Sequence, residues 1–383
     1  MIDCSLAGAL ATARFSPRSL ALALLLLLAS PRAASSRGAF AHGWERGLDA
    51  QFIDFGYSQL SDAQAAFVAT HYSVVSLEKC TGPFPTETGI ATLARKLKAF
   101  NPSLRVLSYL HTDAVSLDCY AAFATFKANP RWWLVDDAGN VSYNAPGVPV
   151  IDVTVPEARD FWVGILLNES LSGGPLRGLI DGVLADGTGA FCGQQHLSAA
   201  RCSARAAAKS LMIQQLQLRL NQSVAPLDGS AGGSVVGNGF FMYPQSPDPL
   251  NNLYTLGDMD GIMLEHFAVF ESVTRAGALD ASRAALSLAR VSQAAALGKF
   301  VVLATWPGLC VTPFAPTGFP SWPGDAQPKT MQGWREALVA NHTFAFAAYL
   351  TVAEVNVWMQ YQVRSLSAKA PPRPPSQSPC PHP

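Results

Sequence analysis

One short pattern occurs twice, and it constrains the fold more than any other feature of the chain. Asp181-Gly182-Val183-Leu184-Ala185-Asp186 runs from an Asp-Gly pair through three apolar residues to a carboxylate. Asp260-Gly261-Ile262-Met263-Leu264-Glu265 does the same. A brief apolar run bounded by turn residues is what a strand covered on both faces looks like. Such strands belong to parallel sheets, whose crossover helices hide both sides. A carboxylate at the C-terminal end of such a strand would stand at the mouth of an α/β barrel, the face on which that fold builds its active sites. Asp181 and Asp260, at the strand starts, read as turn residues at the opposite end.

The alternation extends along the chain. Apolar runs at 52–55, 74–77, 105–110, 148–153, 179–185, 234–241, 261–264 and 300–305 are separated by helical stretches at 61–70, 88–100, 157–167, 203–220 and 280–297, with a last helix at 332–353. Ser61 stands where the first helix needs an N-cap. Eight strands separated by helices predict the α/β class, as a (β/α)8 TIM barrel in a single domain. The competing architecture is a doubly wound open sheet. It would carry a Gly-rich phosphate loop after its first strand, where this chain has Gly56-Tyr57-Ser58 and no G-x-G-x-x-G.

The ends of the chain read differently from its middle. Arg14 and Arg18 precede the apolar run Leu20 to Ala29, followed by small residues, so residues 1–41 are expected to be a cleaved secretory signal and leader. Residues 366–383 are rich in Pro and Ser and are expected to form a disordered tail. The barrel is then assigned to residues 42–365. No second apolar run is long enough to span a bilayer, so the mature chain is expected to hold no integral membrane segment and to be secreted or exposed at the cell surface. Sequons at Asn140, Asn168, Asn221 and Asn341 are glycosylation candidates on that route. Disulfides suit it too: Cys192 and Cys202 flank one loop, and Cys80 and Cys119 follow adjacent strands, so each pair could bridge.

The two strand-end acids invite one chemistry above others. A glycosidase needs a carboxylic acid to protonate the leaving oxygen and a second group as nucleophile or as base for water. Asp186 and Glu265 are the catalytic candidates. Each lies two residues beyond an apolar residue on the same strand face, Leu184 and Met263, so both share one phase. Glu265 sits among Met263, Leu264 and Phe267, which suits the acid role; Asp186 opens the polar run Asp186-Gly187-Thr188-Gly189, which suits the ionised one. Other polar and aromatic residues at strand ends would ring the same mouth and read a sugar: Asp54, Tyr57, Glu78, Tyr109, His111, Asp152, Asn238 and Trp306. Trp132 and Trp133 are further stacking candidates. No metal-ligand set or cofactor motif stands out, and G-x-S-x-G is absent. Lys+Arg and Asp+Glu both number 27, so nothing marks a nucleic-acid partner; a carbohydrate is the expected one.

The order of motifs resembles a known group. Trp132-Trp133-Leu134, Asp137-Ala138-Gly139, Asp152 and Pro156-Glu157-Ala158-Arg159 lead to Asp181–Asp186. This is similar to the succession W-x-L, G, D, P-x-x-R, D-G-V-F-x-D of the glycoside-hydrolase-like TIM barrels. The nearest named group is hypothetical glycosyl hydrolase family 15, with the endo-α-1,4-polygalactosaminidase-like barrels as relatives. The stretch 261–267 resembles their later strand ending in Glu, and 344–360 their last helix and the segment after it. The resemblance covers most of residues 50–362. It implies a barrel, a carbohydrate substrate, and equivalence of Asp186 and Glu265 to the group's strand-end Asp and Glu. The chain departs from the pattern at Leu184-Ala185, where the group favours Phe-Leu, and in the loop from Cys192 to Cys202. A non-catalytic carbohydrate-binding or cell-surface barrel is the alternative. A phosphodiesterase barrel ranks last, because His71, His111 and His266 are scattered.

Overall fold

The apolar runs pair side by side in the order in which they occur along the chain. A computed structural model describes residues 50–53, 60–77, 86–114, 120, 122–145, 147–170, 178–189, 192, 195–223, 233–238, 259–264, 281–305, 332, 336, 339 and 357–361. Within these the strands are β1 (Ala50–Ile53), β2 (Val74–Leu77), β3 (Arg105–His111), β4 (Tyr143–Ala145), β5 (Val148–Pro149), β6 (Gly182–Asp186), β7 (Ser234–Asn238), β8 (Gly261–Leu264), β9 (Phe300–Thr305) and β10 (Val357–Tyr361). The helices are α1 (Asp62–His71), α2 (Thr86–Phe100), α3 (Ala122–Lys127), α4 (Pro156–Ser170), α5 (Ala199–Ser223) and α6 (Ala281–Ala296).

Eight strands form one sheet in the order β1-β2-β3-β6-β7-β8-β9-β10, and every neighbouring pair is parallel. A doubly wound sheet reverses its strand order at a switch point; this order never reverses. The sheet curls until β1 and β10 come into contact. The architecture is therefore a curled, all-parallel α/β sheet.

Two faces follow from the period-2 alternation of the strands. One cluster consists of Val74, Leu107, Tyr109, Leu184, Val236, Met263, Phe300, Val302 and Ala304, all from strands. With no helix residue among them, these side chains meet each other across the inside of the curl. The alternate strand residues, such as Val106, Val183, Val235, Ile262 and Val301, pack with residues of α1, α2, α4, α5 and α6 on the outside. The helices have ordinary local causes. Ser61 and Gln64 form a reciprocal capping box at the start of α1, and Pro156 opens α4, where a missing N–H costs nothing.

One expected strand is corrected. Val148 to Val153 does not join the sheet: Val148–Pro149 pairs antiparallel with β4, in the excursion between β3 and α4. Pro149 cannot donate to a central ladder, and Val150 instead donates its N–H to the Ser142 carbonyl and accepts from the Leu134 N–H. The eighth sheet strand is β10, in the segment expected to follow the last helix. Of that helix, Gln332, Glu336 and Val339 are described as helical, and Gln332 donates to Glu336 one turn on. Residues 1–41 and 366–383 lie outside the described residues. No helix among the described residues is long and apolar enough to cross a membrane.

The repeated Asp-Gly pairs do not form turns. Asp181 accepts the Val106 N–H at 2.8 Å and the Lys98 ammonium at 2.7 Å; Asp260 accepts the Val235 N–H at 3.0 Å. Each Asp thus clamps the strand before its own. Each Gly lets the strand after it come close: a Cβ at Gly182 would overlap the Ser234 carbonyl oxygen, and one at Gly261 would lie 2.7 Å from that of Phe300. The dipeptide closes the floor of the sheet, each Asp taking a backbone N–H of the preceding strand and each Gly admitting a carbonyl of the next.

Candidate active site

At the other end of the strands, three neighbouring elements bring four expected residues together. β3 carries Tyr109 and His111, β6 carries Asp186, and β7 carries Asn238. His111 is in register with Asp186, and Tyr109 with Leu184, so all project from the inner face. The Asp186 carboxylate accepts from the Tyr109 hydroxyl on Oδ2, from Asn238 Nδ2 at 2.9 Å on Oδ1, and from the Gly187 N–H at 2.7 Å on Oδ1. Neutral donors of this kind suit an anionic carboxylate. The side chain keeps 17% exposure, so it is held but reachable.

His111 is oriented from behind. Its Nδ1 accepts the Asp113 N–H at 3.0 Å, which leaves the proton of the neutral ring on Nε2. That nitrogen lies 3.8 Å from Asp186 Oδ2. Buried donors fix the strand beneath: Tyr120 Oη donates to the Tyr109 carbonyl at 2.7 Å, and Trp162 Nε1 to the His111 carbonyl at 2.9 Å. Gly187 is required twice over. Its φ is +69°, and a Cβ would approach His111 Cε1 to 2.6 Å. Thr188 holds the neighbouring strand end, donating to the Asn238 carbonyl through both its N–H, at 2.8 Å, and its hydroxyl, at 2.7 Å.

A layer of charge that sequence reasoning left unassigned lies directly behind. Asp113 is 2% exposed, Arg205 0% and Lys209 1%. Burial alone would raise the Asp113 carboxyl, but Lys209, Arg205 and His111 outweigh it and hold it below the ordinary carboxylate value. Lys209 is pushed down to about 8, chiefly by burial, with the Arg205 charge adding to the effect against the attraction of Asp113. The two directions agree physically: two cations share one carboxylate, which is over-compensated while the lysine is under-compensated. The one sequence signal was Arg205 and Lys209 at i, i+4 on the otherwise apolar buried face of α5.

The remaining expected residues fall elsewhere. Asp152 is not at a sheet-strand end; its Oδ1 accepts from Thr154 N–H and hydroxyl in the turn before α4. Trp132 is buried and stacks on Phe161, and Trp133 donates to the Phe126 carbonyl, so both pack the excursion. Asp54, Tyr57, Glu78, Trp306, Cys80, Cys119, Asn341 and Glu265 lie outside the described residues; Glu265 is the residue after β8. Cys192 and Cys202 form a disulfide. Asn140 and Asn221 are exposed, and Asn168 lies in α4. Among the described residues, no group of three or more His, Cys, Asp or Glu could hold a metal.

Several solved structures are similar to this chain. A xylosidase from Aspergillus niger is 13% identical, with a TM-score of 0.39 over 69% of this chain and 38% of its own. A GH31 dextranase of Flavobacterium johnsoniae, complexed with glucose, is 10% identical, with a TM-score of 0.45 over 86% of this chain and 38% of its own. An α-galactosidase from Lactobacillus brevis is 10% identical, with a TM-score of 0.40 over 84% and 38%. The chain spans less than half the length of each. No curated protein matches it. The family comparison covers well over half of the sequence, from within α2 to the penultimate residue of β10 and including every residue of the site just described: with residues 98–360 matched, the chain belongs to hypothetical glycosyl hydrolase family 15.

Proposed function

We propose that this protein is a secreted glycoside hydrolase that cleaves O-glycosidic bonds of a polysaccharide or glycoconjugate at the mouth of a closed (β/α)8 barrel. Asp186 and Glu265 are its paired carboxylates. The observation that carries this reading is the state of Asp186: it stands at the C-terminal end of a central parallel strand, on the inner face, held by Tyr109, Asn238 and Gly187 and still partly exposed. Membership of a glycosyl hydrolase family supports the reaction class.

Glu265 stands in the sequence two residues after Met263, whose side chain belongs to the inner cluster. Asn238, bonded to Asp186, is in register with Met263, so β7 alone separates β6 from the strand that precedes Glu265 in the sequence. A paired mechanism requires the two carboxyl groups to lie within the roughly 5 to 9.5 Å that glycosidases use. Asp186, surrounded by donors, takes the role of nucleophile or base, and Glu265 that of proton donor. The unbroken strand order and the approach of β1 to β10 support barrel closure. The disulfide suits an oxidising compartment.

The test is hydrolysis of a panel of p-nitrophenyl α- and β-glycosides and reduced oligosaccharides by the wild type, D186N and E265Q. The wild type is expected to turn over at least one, and each variant to lose about 10²- to 10⁴-fold in kcat while its unfolding midpoint stays put. Sugar binding without turnover in the wild type would instead select the non-catalytic carbohydrate-binding barrel.

A further inference from the structure

Behind Asp186 lie three fully buried charges, and one of them reaches forward. Asp113, just after β3, takes Arg205 Nη2 at 2.5 Å and Lys209 Nζ at 2.6 Å on the same oxygen. Arg205 also donates to the Ile151 carbonyl at 3.0 Å, which ties the excursion to α5. Lys209 turns the other way. Its ammonium donates to the Gly187 carbonyl at 2.6 Å and to the Gly189 carbonyl, the two that flank Thr188. Thr112, which continues the β3–β6 ladder, donates its hydroxyl to the same Gly187 carbonyl at 2.5 Å. A fully buried lysine is rare, and an ion cluster of this kind can often be replaced by apolar side chains without loss of stability. Packing alone does not call for one here. What distinguishes Lys209 is what it holds: the loop that leaves Asp186, supplies that carboxylate with an N–H, and presses against His111.

We propose that Lys209 is a positioning residue for Asp186: its ammonium gathers the Gly187 and Gly189 carbonyls, so that the Gly187 N–H stays aimed at the carboxylate and the His111 ring keeps its place beside it. This rests on the hydrolase reading for its catalytic meaning, but not for its geometry. Among the described residues, the charged groups that act on Lys209 include Asp113 after β3, Arg205 on the same helix and Asp186 on β6, and His111 acts in turn on Asp113. When the ammonium loses its proton, one N–H donor goes, and the hold on two carbonyls and one carboxylate must loosen.

The experiment uses the full chain with glycine-selective 15N labelling, following the Gly187 amide against pH. In the wild type its resonance should shift with a midpoint near 8, where Lys209 titrates. In K209R it should stay flat across that range, because a guanidinium keeps its charge. With the p-nitrophenyl glycoside that the wild type hydrolyses fastest, the alkaline limb near that pH should be absent from K209R, and K209M should lose about ten- to a hundredfold in kcat with little change in KM. A Gly187 resonance indifferent to pH in the wild type, an identical titration in K209R, or a folded K209M with unchanged kcat would each overturn the proposal. Should K209M fail to fold, the comparison of wild type with K209R decides alone. Should the wild type hydrolyse no glycoside, the hydrolase reading falls, while the amide titration still judges whether Lys209 holds the loop.

Discussion

Asp-Gly stands at both ends of β6, and the two copies do opposite things. At the floor, the Asp181 side chain is 8% exposed and pairs with a cation, Lys98, while clamping the backbone of the preceding strand. Gly182 is there for close approach, not for an unusual backbone angle. At the mouth, Asp186 is 17% exposed and is held by a hydroxyl, an amide and a backbone N–H, and Gly187 takes a positive φ to turn the chain away. One carboxylate has its charge paired inside the fold; the other is oriented by neutral donors and left partly exposed. The dipeptide alone says nothing about which is which. The strand face, the end of the strand and the charge of the partner do.

Substitutions that respect this difference should separate stability from activity. The largest effect is expected from D181A, which strands the Lys98 ammonium and the Val106 N–H. It should cost about 3 kcal/mol in denaturant unfolding, and a loss below about 1 kcal/mol would mean that the floor is not closed by this ion pair. G182A, which drives a methyl onto the Ser234 carbonyl, should cost about 1 to 3 kcal/mol. G261A should follow it in the same assay, since the second copy makes the same contact. At the mouth the sign of the contrast reverses. Y109F removes the hydroxyl donated to Asp186 and should lower kcat about tenfold while changing stability by about 1 kcal/mol. An unchanged kcat would show that the hydroxyl only packs.

The smallest effect concerns pH, where both buried charges make stability rise with pH, each in its own window. Asp113 is held below its ordinary value, so its contribution is complete above the unfolded carboxylate range and is lost as pH falls through the folded value. Lys209 is held at about 8, against about 10.4 in an unfolded chain. Between those values the unfolded chain binds the extra proton, so this group makes stability rise with pH. Unfolding free energies of wild type minus K209R, measured from neutral to pH 10, should show that rise; a flat difference would place the lysine in a wetter setting.

Much of the fold was legible because burial on both faces writes itself as short apolar runs. Gly261–Leu264 and Phe300–Thr305 have the bounds that the runs suggested. The runs do not say which partner they have. Val148–Val153 is as apolar as the sheet strands, yet Pro149 and the neighbouring β4 draw it into a hairpin. Val357–Tyr361 lies beyond the last expected helix, at 332–353, in a segment where no strand was expected. At the site, strand phase and polar type were enough to mark Tyr109, His111, Asp186 and Asn238, because all four sit at one end of adjacent strands. The Asp113–Arg205 pair spans 92 residues and becomes a pair only when α5 packs against the sheet. Trp132 looked like a sugar platform because an aromatic has the same signature whether it stacks on a sugar or, as here, on Phe161.

The most direct measurement sets the two ends of β6 against each other in one assay: kcat of D186N and D181N on the same p-nitrophenyl glycoside, at a temperature where both are folded. The account requires D186N to be folded and inactive, and D181N to be less stable yet close to wild type in turnover. Comparable turnover in D186N and the wild type, or a loss in D181N as deep as in D186N, would contradict the claim that the mouth carboxylate carries the chemistry and the floor carboxylate the fold.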